Sequence, residues 1–435
     1  MTVLLTTVGI VLFVLGVLIS VALHEMGHML PAKAFGMKVT QFFVGFGRTV
    51  WSTRRGETEY GIKAIPAGGF VRIIGMLPPG KGQDPTKVRK ANTGPIQSLV
   101  ENARSAEYET ISPEDDGRLF YQKVWWKKLI VMASGPLVNV VIAFVLFGGL
   151  YMLYGTPVAQ TTVSTVTDCV IPANQASADR QCTDTDKVSP AKVAGFQVGD
   201  KIVSFNGTQI SSWDQLTPLI RANTDKPATI VVERNGAQKT LQTNTIVNQV
   251  QESATSDKLV SVGFLGISPT EKVERQSFGF VVDQMGKLTV STVQALGKFP
   301  EKLVGVAKSI VGGQRDQDSP MSVVGASRVA GEVASSDLGV GQKIATGILL
   351  LASLNLFLAL FNFIPLLPLD GGHMIGAIWE GIRRGFAKLF RRPDPGYVDV
   401  AKLLPIAYVA ASAIVVMGVL LVIADIVNPI KLFNG

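Results

Sequence analysis

Four long apolar stretches constrain the fold of this 435-residue chain more than any other feature, at 3–32, 129–153, 343–364 and 403–427. Each reaches the length of about 20 residues that a helix needs to cross a bilayer. The mean hydropathy of +0.31 and a charged fraction of only 17% are too apolar for an ordinary soluble enzyme. We therefore expect a polytopic α-helical membrane protein with about four transmembrane helices.

The charges between these stretches predict the topology. Lysine and arginine are concentrated in the loops that follow the first and third stretches, whereas the long segment after the second mixes both signs almost evenly. The positive-inside rule then places both basic loops in the cytoplasm, with both termini and the long segment on the other side of the cytoplasmic membrane. The net charge of +8 is thus a topology signal, and no nucleic-acid-binding motif accompanies it.

The first apolar stretch ends in His24-Glu25-Met26-Gly27-His28, an H-E-x-x-H pattern. On a helix, His24 and His28 lie one turn apart on one face, so both imidazoles can reach a single metal ion. Glu25 lies beside them, where its carboxylate can accept a proton from the attacking water. Ionisable groups at the end of a membrane-grade helix are costly and by default mark a functional site.

A catalytic zinc ion needs three protein ligands and an open position, and the chain has only one further histidine, His373. The other candidate for the third ligand is Asp370, which follows the third apolar stretch and precedes two glycines. On the predicted topology Asp370 lies at the same depth as the H-E-x-x-H turn. We therefore favour Asp370 as the third ligand, and a helix-end cap is the alternative role for this residue. We expect His373 to support the site or the fold.

The first cytoplasmic loop, between the first and second spans, has two parts. Residues 38–76 alternate between apolar and polar with glycine punctuation, which predicts β-hairpins beside the metal site. Residues 78–118 are rich in Pro, Gly, Lys and Glu, which predicts a flexible cytoplasmic insertion.

The segment after the second span contains Ala194-Gly195-Phe196, Gly199-Asp200-Lys201-Ile202 and Asn206-Gly207, followed by a helix and two strands. This series resembles a PDZ domain. Cys169 and Cys182 lie in an insertion before it. A disulfide is plausible there if the segment is extracytoplasmic, and two buried thiols are the alternative.

Taken together, these motifs occur in the order found in bacterial site-2 proteases, and the chain resembles the regulator-of-sigma-E-protease branch of that family (M50). The resemblance implies an intramembrane zinc metalloprotease with a re-entrant β-loop. The implied residues are the zinc ligands His24, His28 and Asp370, the catalytic base Glu25, the substrate or transition-state contact Asn362, and the substrate-binding residues Gly68, Gly69 and Phe70.

The resemblance further implies the partners. Substrates would be single-span membrane proteins, notably anti-sigma factors, that an upstream site-1 protease has already cut. The PDZ domain would bind the new C-terminus or exclude uncut proteins by size. Two alternatives are an inactive PDZ-bearing scaffold or sensor, which needs none of the four motif residues, and a metal transporter, which would carry more polar residues across its spans.

The predicted organisation follows the chain in nine segments. They are a first transmembrane helix at 1–34, a re-entrant β-region at 35–77, a flexible insertion at 78–124, a second transmembrane helix at 125–154, an extracytoplasmic PDZ domain at 155–250, a linker with amphipathic membrane-surface helices at 251–342, a third transmembrane helix with the Leu-Asp-Gly motif at 343–375, a cytoplasmic loop at 376–402, and a fourth transmembrane helix with the C-terminus at 403–435.

Overall fold

The computed structural model describes residues 2–78, 111–171, 181–183, 185–251, 259–313, 315–316 and 318–430. The helices are α1 (Thr2–Ala34), α2 (Trp125–Gly149), α3 (Pro190–Ala194), α4 (Trp213–Ala222), α5 (Phe278–Gly297), α6 (Phe299–Ile310), α7 (Val323–Ser335), α8 (Val340–Asn362), α9 (Asp370–Leu389) and α10 (Leu404–Val427). The strands are β1 (Val39–Arg55), β2 (Thr58–Ile73), β3 (Thr156–Val166), β4 (Lys201–Phe205), β5 (Thr208–Gln209), β6 (Pro227–Arg234), β7 (Ala237–Asn244), β8 (Ile246–Gln251), β9 (Leu259–Phe264) and β10 (Ile267–Glu274).

The chain divides into two compact units. The first combines Met1–Leu150 with Ser277–Gly435, and the second is Tyr151–Gln276. Within the described residues, four helices are long and apolar enough to cross a membrane: α1, α2 with its continuation to Tyr154, α8, and α10 with the turn before it. This confirms the predicted number of spans and a multi-pass membrane protein.

The third predicted span, at 343–364, corresponds to α8, which ends at Asn362. The structure differs at 376–402, predicted as a cytoplasmic loop, because a separate helix, α9, runs from Asp370 to Leu389. Ile375, Trp379 and Ile382 lie at helical spacing on an exposed face of α9, and Glu380 is buried on the opposite face. The amphipathic period of 376–389 was therefore the signal for a helix.

Strands β1 and β2 form an antiparallel pair with several register shifts. The 39–44 part of β1 pairs with 69–73 on one side and with 59–62 on the other, because the chain bends at Gly45 and Gly47, both with positive φ. The chain just before α2 is hydrogen-bonded to the chain just after β2. The N–H of Phe120 donates to the carbonyl of Ile74, the residue that follows β2. The predicted insertion at 78–124 lies outside the described residues over 79–110.

The second unit is built on a six-stranded sheet of order β10-β3-β4-β6-β7, with β5 paired to β4, and a separate β8-β9 hairpin. Its core contains Phe196, Ile202, Leu216 and Ile230. Because β10 pairs with β3 along most of its length, 259–274 belongs to this unit and not to the linker predicted over 251–342. A disulfide joins Cys169 and Cys182.

A buried ion pair fastens the turn before β4 to the end of β6. Arg234 donates from Nε to Oδ1 of Asp200 at 2.6 Å and from Nη2 to Oδ2 at 2.7 Å, while the Gln197 N–H donates to Oδ2. Burial by itself would raise the pKa of the Asp200 carboxyl, but the hydrogen bonds from Arg234 and Gln197 hold that pKa below its ordinary value. Asp200 is therefore ionised in the folded unit at neutral pH.

We predict that this pair makes the second unit acid-sensitive. A carboxyl whose pKa is lowered by folding stabilises the protein above its unfolded pKa of about 3.9 and loses that contribution as the pH falls further. Arg234→Gln should lower the free energy of unfolding at pH 7 by about 3 kcal/mol, since the Asp200 carboxylate stays buried.

The measurement is hydrogen exchange of the amides around 199–234 in the full chain, compared between pH 7 and about pH 2.5, which lies below the unfolded pKa of the carboxyl. Lys192→Gln is the matched control, because the Lys192–Asp168 pair is more than half exposed and contributes little. Equal protection in Arg234→Gln and the parent at pH 7 would contradict the prediction.

Candidate metal centre

Three side chains from two helices converge in the first unit. In α1, the Nε2 atoms of His24 and His28 are 3.2 Å apart. Oδ2 of Asp370, the first residue of α9, lies 3.4 Å from Nε2 of His24 and 3.3 Å from Nε2 of His28. The structure therefore brings together the three residues that the sequence singled out as ligands.

This donor set fits a zinc ion. With metal–ligand bonds of 2.0–2.1 Å at tetrahedral angles, donor atoms are separated by about 3.3 Å, which matches all three distances. Oδ2 of Asp370 is buried and has no hydrogen-bond partner among the described residues. Such an atom needs a cation, and three ligands leave one tetrahedral position open.

The imidazole of His28 is oriented by α2. Its Nδ1 lies 2.7 Å from the carbonyl oxygen of Val131, and a proton on Nδ1 that donates there leaves the Nε2 lone pair for a metal. The ring occupies the space beside Gly135, where an added Cβ would lie 2.1 Å from Nε2. A Cβ on Gly27 would lie 2.8 Å from the carbonyl oxygen of Ser134 and 3.0 Å from Cα of Gly135. The two glycines thus allow α1 and α2 to approach closely enough for this hydrogen bond.

The carboxylate of Asp370 is positioned by the start of α9. A Cβ on Gly371 would lie 2.2 Å from the carbonyl oxygen of Ile364, and a Cβ on Gly372 would lie 2.5 Å from the backbone nitrogen of Leu367. The paired glycines therefore let the first turn of α9 fold back against the preceding chain. No other residue type would fit at either position without moving the backbone.

A buried ion pair holds α9 against α2. Nζ of Lys128 donates to Oε2 of Glu380 at 2.7 Å, and both side chains are at most 6% exposed. Nη2 of Arg384 lies 3.2 Å from the other carboxylate oxygen. Since Glu380 is on the helix that begins with Asp370, this cluster helps to set the position of the third ligand candidate.

The donor atoms open into a cavity of about 430 Å³. The predicted site residues that line it are His24, Glu25, His28, Gly68, Gly69, Phe70, Asn362, Asp370 and His373. A Cβ on Gly69 would lie 3.1 Å from Cγ of Glu25, so the strand passes directly beside the acidic side chain. His373 faces the cavity but is not one of the three converging donors.

Sequence reasoning missed several residues around this cavity. The sequence placed Asn139 as an amide within the apolar second span and Lys128 in a basic interfacial anchor at its start, and it indicated no function for the carbonyl of Val131. The available signal was their spacing, since 128, 131, 135 and 139 lie three or four residues apart and thus on one face of a helix. Their partners, however, are more than one hundred residues away in sequence.

Comparison with known proteins finds a peptidase family and several metalloproteases that are similar to this chain. The model of peptidase family M50 matches residues 12–392. Zinc metalloprotease Rip1 of Mycobacterium tuberculosis is 36% identical over 98% of this chain and 99% of its own, and Rip1 of Mycolicibacterium smegmatis is equally similar. Metalloprotease MmpA of Caulobacter vibrioides is 26% identical, with 86% of each chain covered.

We predict that Gly135→Ala prevents zinc binding. The new methyl group would overlap the His28 imidazole and displace Nε2 from the other two donors. Zinc content after purification in detergent, measured by atomic emission, should fall well below one equivalent. Gly148→Ala on the same helix is the matched control, because nothing lies within 4 Å of its added Cβ. Full zinc content in Gly135→Ala would show that the ring packs differently.

We predict that substitutions of Glu380 and of Lys128 lower the stability of the protein by different amounts. Glu380→Gln leaves Lys128 buried with no counter-charge beside Arg384, and should cost about 3–5 kcal/mol of stability. Lys128→Met leaves Glu380 paired to Arg384 and should cost less.

Thermal unfolding in detergent tests this order, and the double variant Lys128→Met/Glu380→Met should recover most of the loss. Arg328→Met, which breaks the partly exposed Arg328–Glu332 pair, is the control and should have little effect. A Lys128→Met variant less stable than Glu380→Gln would contradict the assignment.

Proposed function

Because the chain belongs to peptidase family M50 and is a zinc metalloprotease of the site-2 type, we propose that it hydrolyses peptide bonds within the transmembrane segments of single-span membrane proteins. Family membership decides for the protease over the scaffold and transporter alternatives. The observation that carries the proposal is the convergence of His24 and His28, on the candidate membrane span α1, with Asp370 at the start of α9.

The depth of the site supports an intramembrane substrate. His28 lies six residues before the end of α1, and its neighbour Gly135 lies ten residues after the start of α2. At 1.5 Å per residue these positions are about 9 Å and 15 Å from the helix ends, so the site lies within the length of two helices that can each cross a hydrocarbon core of about 30 Å. On the predicted topology those ends face the cytoplasm, so we propose an active site nearer the cytoplasmic side.

In the proposed mechanism His24, His28 and Asp370 would hold the zinc ion, which would supply a Lewis acid and lower the pKa of water. The Glu25 carboxylate would accept the proton of the attacking water and return it to the leaving amine. The Asn362 carboxamide, at the end of α8 and facing the same cavity, donates a hydrogen bond to the developing oxyanion.

Strand β2 is the proposed docking edge for the substrate. A peptide bond in a helix is protected by its i→i−4 hydrogen bonds, so the substrate must unwind, which is costly in lipid without new partners. The 69–73 part of β2 pairs with β1 on one side only, and Gly68, Gly69 and Phe70 line the cavity. An extended substrate can therefore add to this edge by β-augmentation, as in a re-entrant membrane β-loop.

The second unit is proposed to be an extracytoplasmic PDZ domain. Support comes from a Ser-capped short helix, α3, before β4 and from the edge strand β10, which has a described partner on one side only. Such an edge can bind a new C-terminus by β-augmentation, and a folded domain can also exclude bulky uncut proteins. The disulfide fits the oxidising side of the cytoplasmic membrane.

The proposed substrates are anti-sigma factors already cut by a site-1 protease, acting in regulated intramembrane proteolysis. Support for this finer assignment is the likeness of the chain to site-2 proteases and its predicted topology. Both termini and the PDZ domain lie outside the cytoplasm in this proposal, and the two basic loops lie inside it.

We predict that Glu25→Gln abolishes cleavage without loss of zinc. Removing a general base lowers rates by roughly 10²–10⁴-fold, whereas the three ligands remain in place. The assay follows a tagged single-span reporter in proteoliposomes, with zinc content measured on the same preparations. Glu301→Gln, an exposed glutamate on α6, is the control. Equal cleavage by Glu25→Gln and the parent would overturn the proposed mechanism, and no cleavage by the parent would overturn the proposed function.

A further inference from the structure

Asn139 on α2 is a buried polar residue that the proposed mechanism does not use. Its side chain is 2% exposed and lines the same cavity as His24, Glu25 and Asp370. Its Oδ1 atom is buried and has no hydrogen-bond partner among the described residues. A buried carbonyl oxygen without a partner is destabilising, and at the wall of a cavity a bound ligand can satisfy it.

Asn355 on α8 is a buried asparagine of the same helical bundle whose Oδ1 likewise has no partner among the described residues, but whose amino group is bonded. Its Nδ2 donates to Oγ of Ser20 at 3.0 Å and to the carbonyl oxygen of Leu351 at 2.8 Å. Those bonds fasten α8 to α1, and Asn355 does not line the cavity. No comparable bond from the Asn139 carboxamide fastens α2 to another described element.

The proposed substrate provides the missing partner. An unwound segment exposes N–H and C=O groups along both of its edges, and in a water-poor site each of them needs a partner. The β2 edge serves one side. On the helical side of the cavity, the described polar residues other than the proposed ligands and Glu25 are Asn139, Asn362 and His373. A carboxamide carries both a donor and an acceptor, so it can pair with a peptide group.

We propose that Asn139 is a substrate contact, which pairs its carboxamide with a backbone peptide group on the edge of the unwound substrate that β2 does not serve. This inference rests on the proposed function and names a further residue for it. The ligand class is an extended, apolar peptide backbone. Recognition through the backbone is independent of side-chain sequence, so Asn139 contributes to the affinity for any unwound segment.

The test measures binding and cleavage separately. Binding is measured in the Glu25→Gln background, with a fluorescent single-span peptide that carries a helix-destabilising Gly-Pro pair, in proteoliposomes. Asn139→Leu should weaken binding roughly tenfold to a hundredfold, because one peptide group of the bound segment is left unpaired. In the active background kcat/KM should fall by a similar factor. Asn139→Ser, which keeps a donor and an acceptor, should restore part of both.

Zinc content and thermal stability distinguish this role from a structural one. Asn139→Leu should retain full zinc and an unfolding temperature equal to or above that of the parent, since it removes an unpaired buried amide. Asn355→Leu is the matched control, which should unfold at a lower temperature while its folded fraction binds the peptide normally.

Unchanged peptide binding by Asn139→Leu would overturn the proposal, and so would a loss of binding accompanied by loss of zinc or a lower unfolding temperature. These outcomes are separate from those of the proposed function, which fails if the parent does not cleave the reporter. Weakened binding by Asn139→Leu together with an inactive parent would keep Asn139 as a peptide contact without the protease chemistry.

Discussion

The contact between the His28 imidazole and the backbone of Gly135 is the constraint on which the rest of this site depends. The ring occupies the position of a missing Cβ, and it can do so only because α1 and α2 approach each other closely at Gly27 and Gly135. One turn earlier on α2, the carbonyl of Val131 binds Nδ1. The ring is thus fixed in both position and tautomer, and Nε2 faces His24 and Asp370 without further adjustment.

Helix α2 serves as a common support for the other parts of the site. Lys128 fixes α9, Val131 and Gly135 fix His28, and Asn139 faces the cavity, all from one face of the helix. Since residues on one face of a rigid helix keep fixed separations, the ligand-bearing ends of α1 and α9 are held in register with each other. A side chain that moves α2 by even one ångström would therefore disturb both helices at once.

Sequence reasoning predicted those parts of the fold and of the candidate site that depend on local pattern. Apolar length predicted the four spans, and the i, i+4 spacing of His24 and His28 predicted a shared face. Asp370 was inferred from the scarcity of histidine and from topology, and the structure brings it to both imidazoles. Its roles and those of Glu25 and Asn362 remain proposals, because geometry shows where a side chain lies and not what it does.

Features that depend on distant pairing were not predictable in the same way. Strand β10 was predicted as part of a linker because its partner, β3, is about one hundred residues earlier, and pairing partners leave no local trace in a single sequence. The second half of α9 was predicted as a cytoplasmic loop because its basic residues follow the positive-inside rule, which says nothing about whether the segment is helical. Lys128 and Glu380 are 252 residues apart, and each alone resembles an ordinary surface charge.

A protease active site within a membrane combines two opposed requirements, which this chain meets by gathering the proposed site residues around one cavity. Hydrolysis needs water, a carboxylate and metal ligands, whereas the outer surfaces of the spans must stay apolar, as the exposed valines of α10 do. Buried polar groups are costly without a partner, and in the proposed function that partner is a zinc ion for the three donors and a peptide backbone for Asn139 and Asn362. Metal binding and substrate binding would then stabilise the packing of the helices as well as serve catalysis, since each would satisfy groups that the described residues leave unpaired.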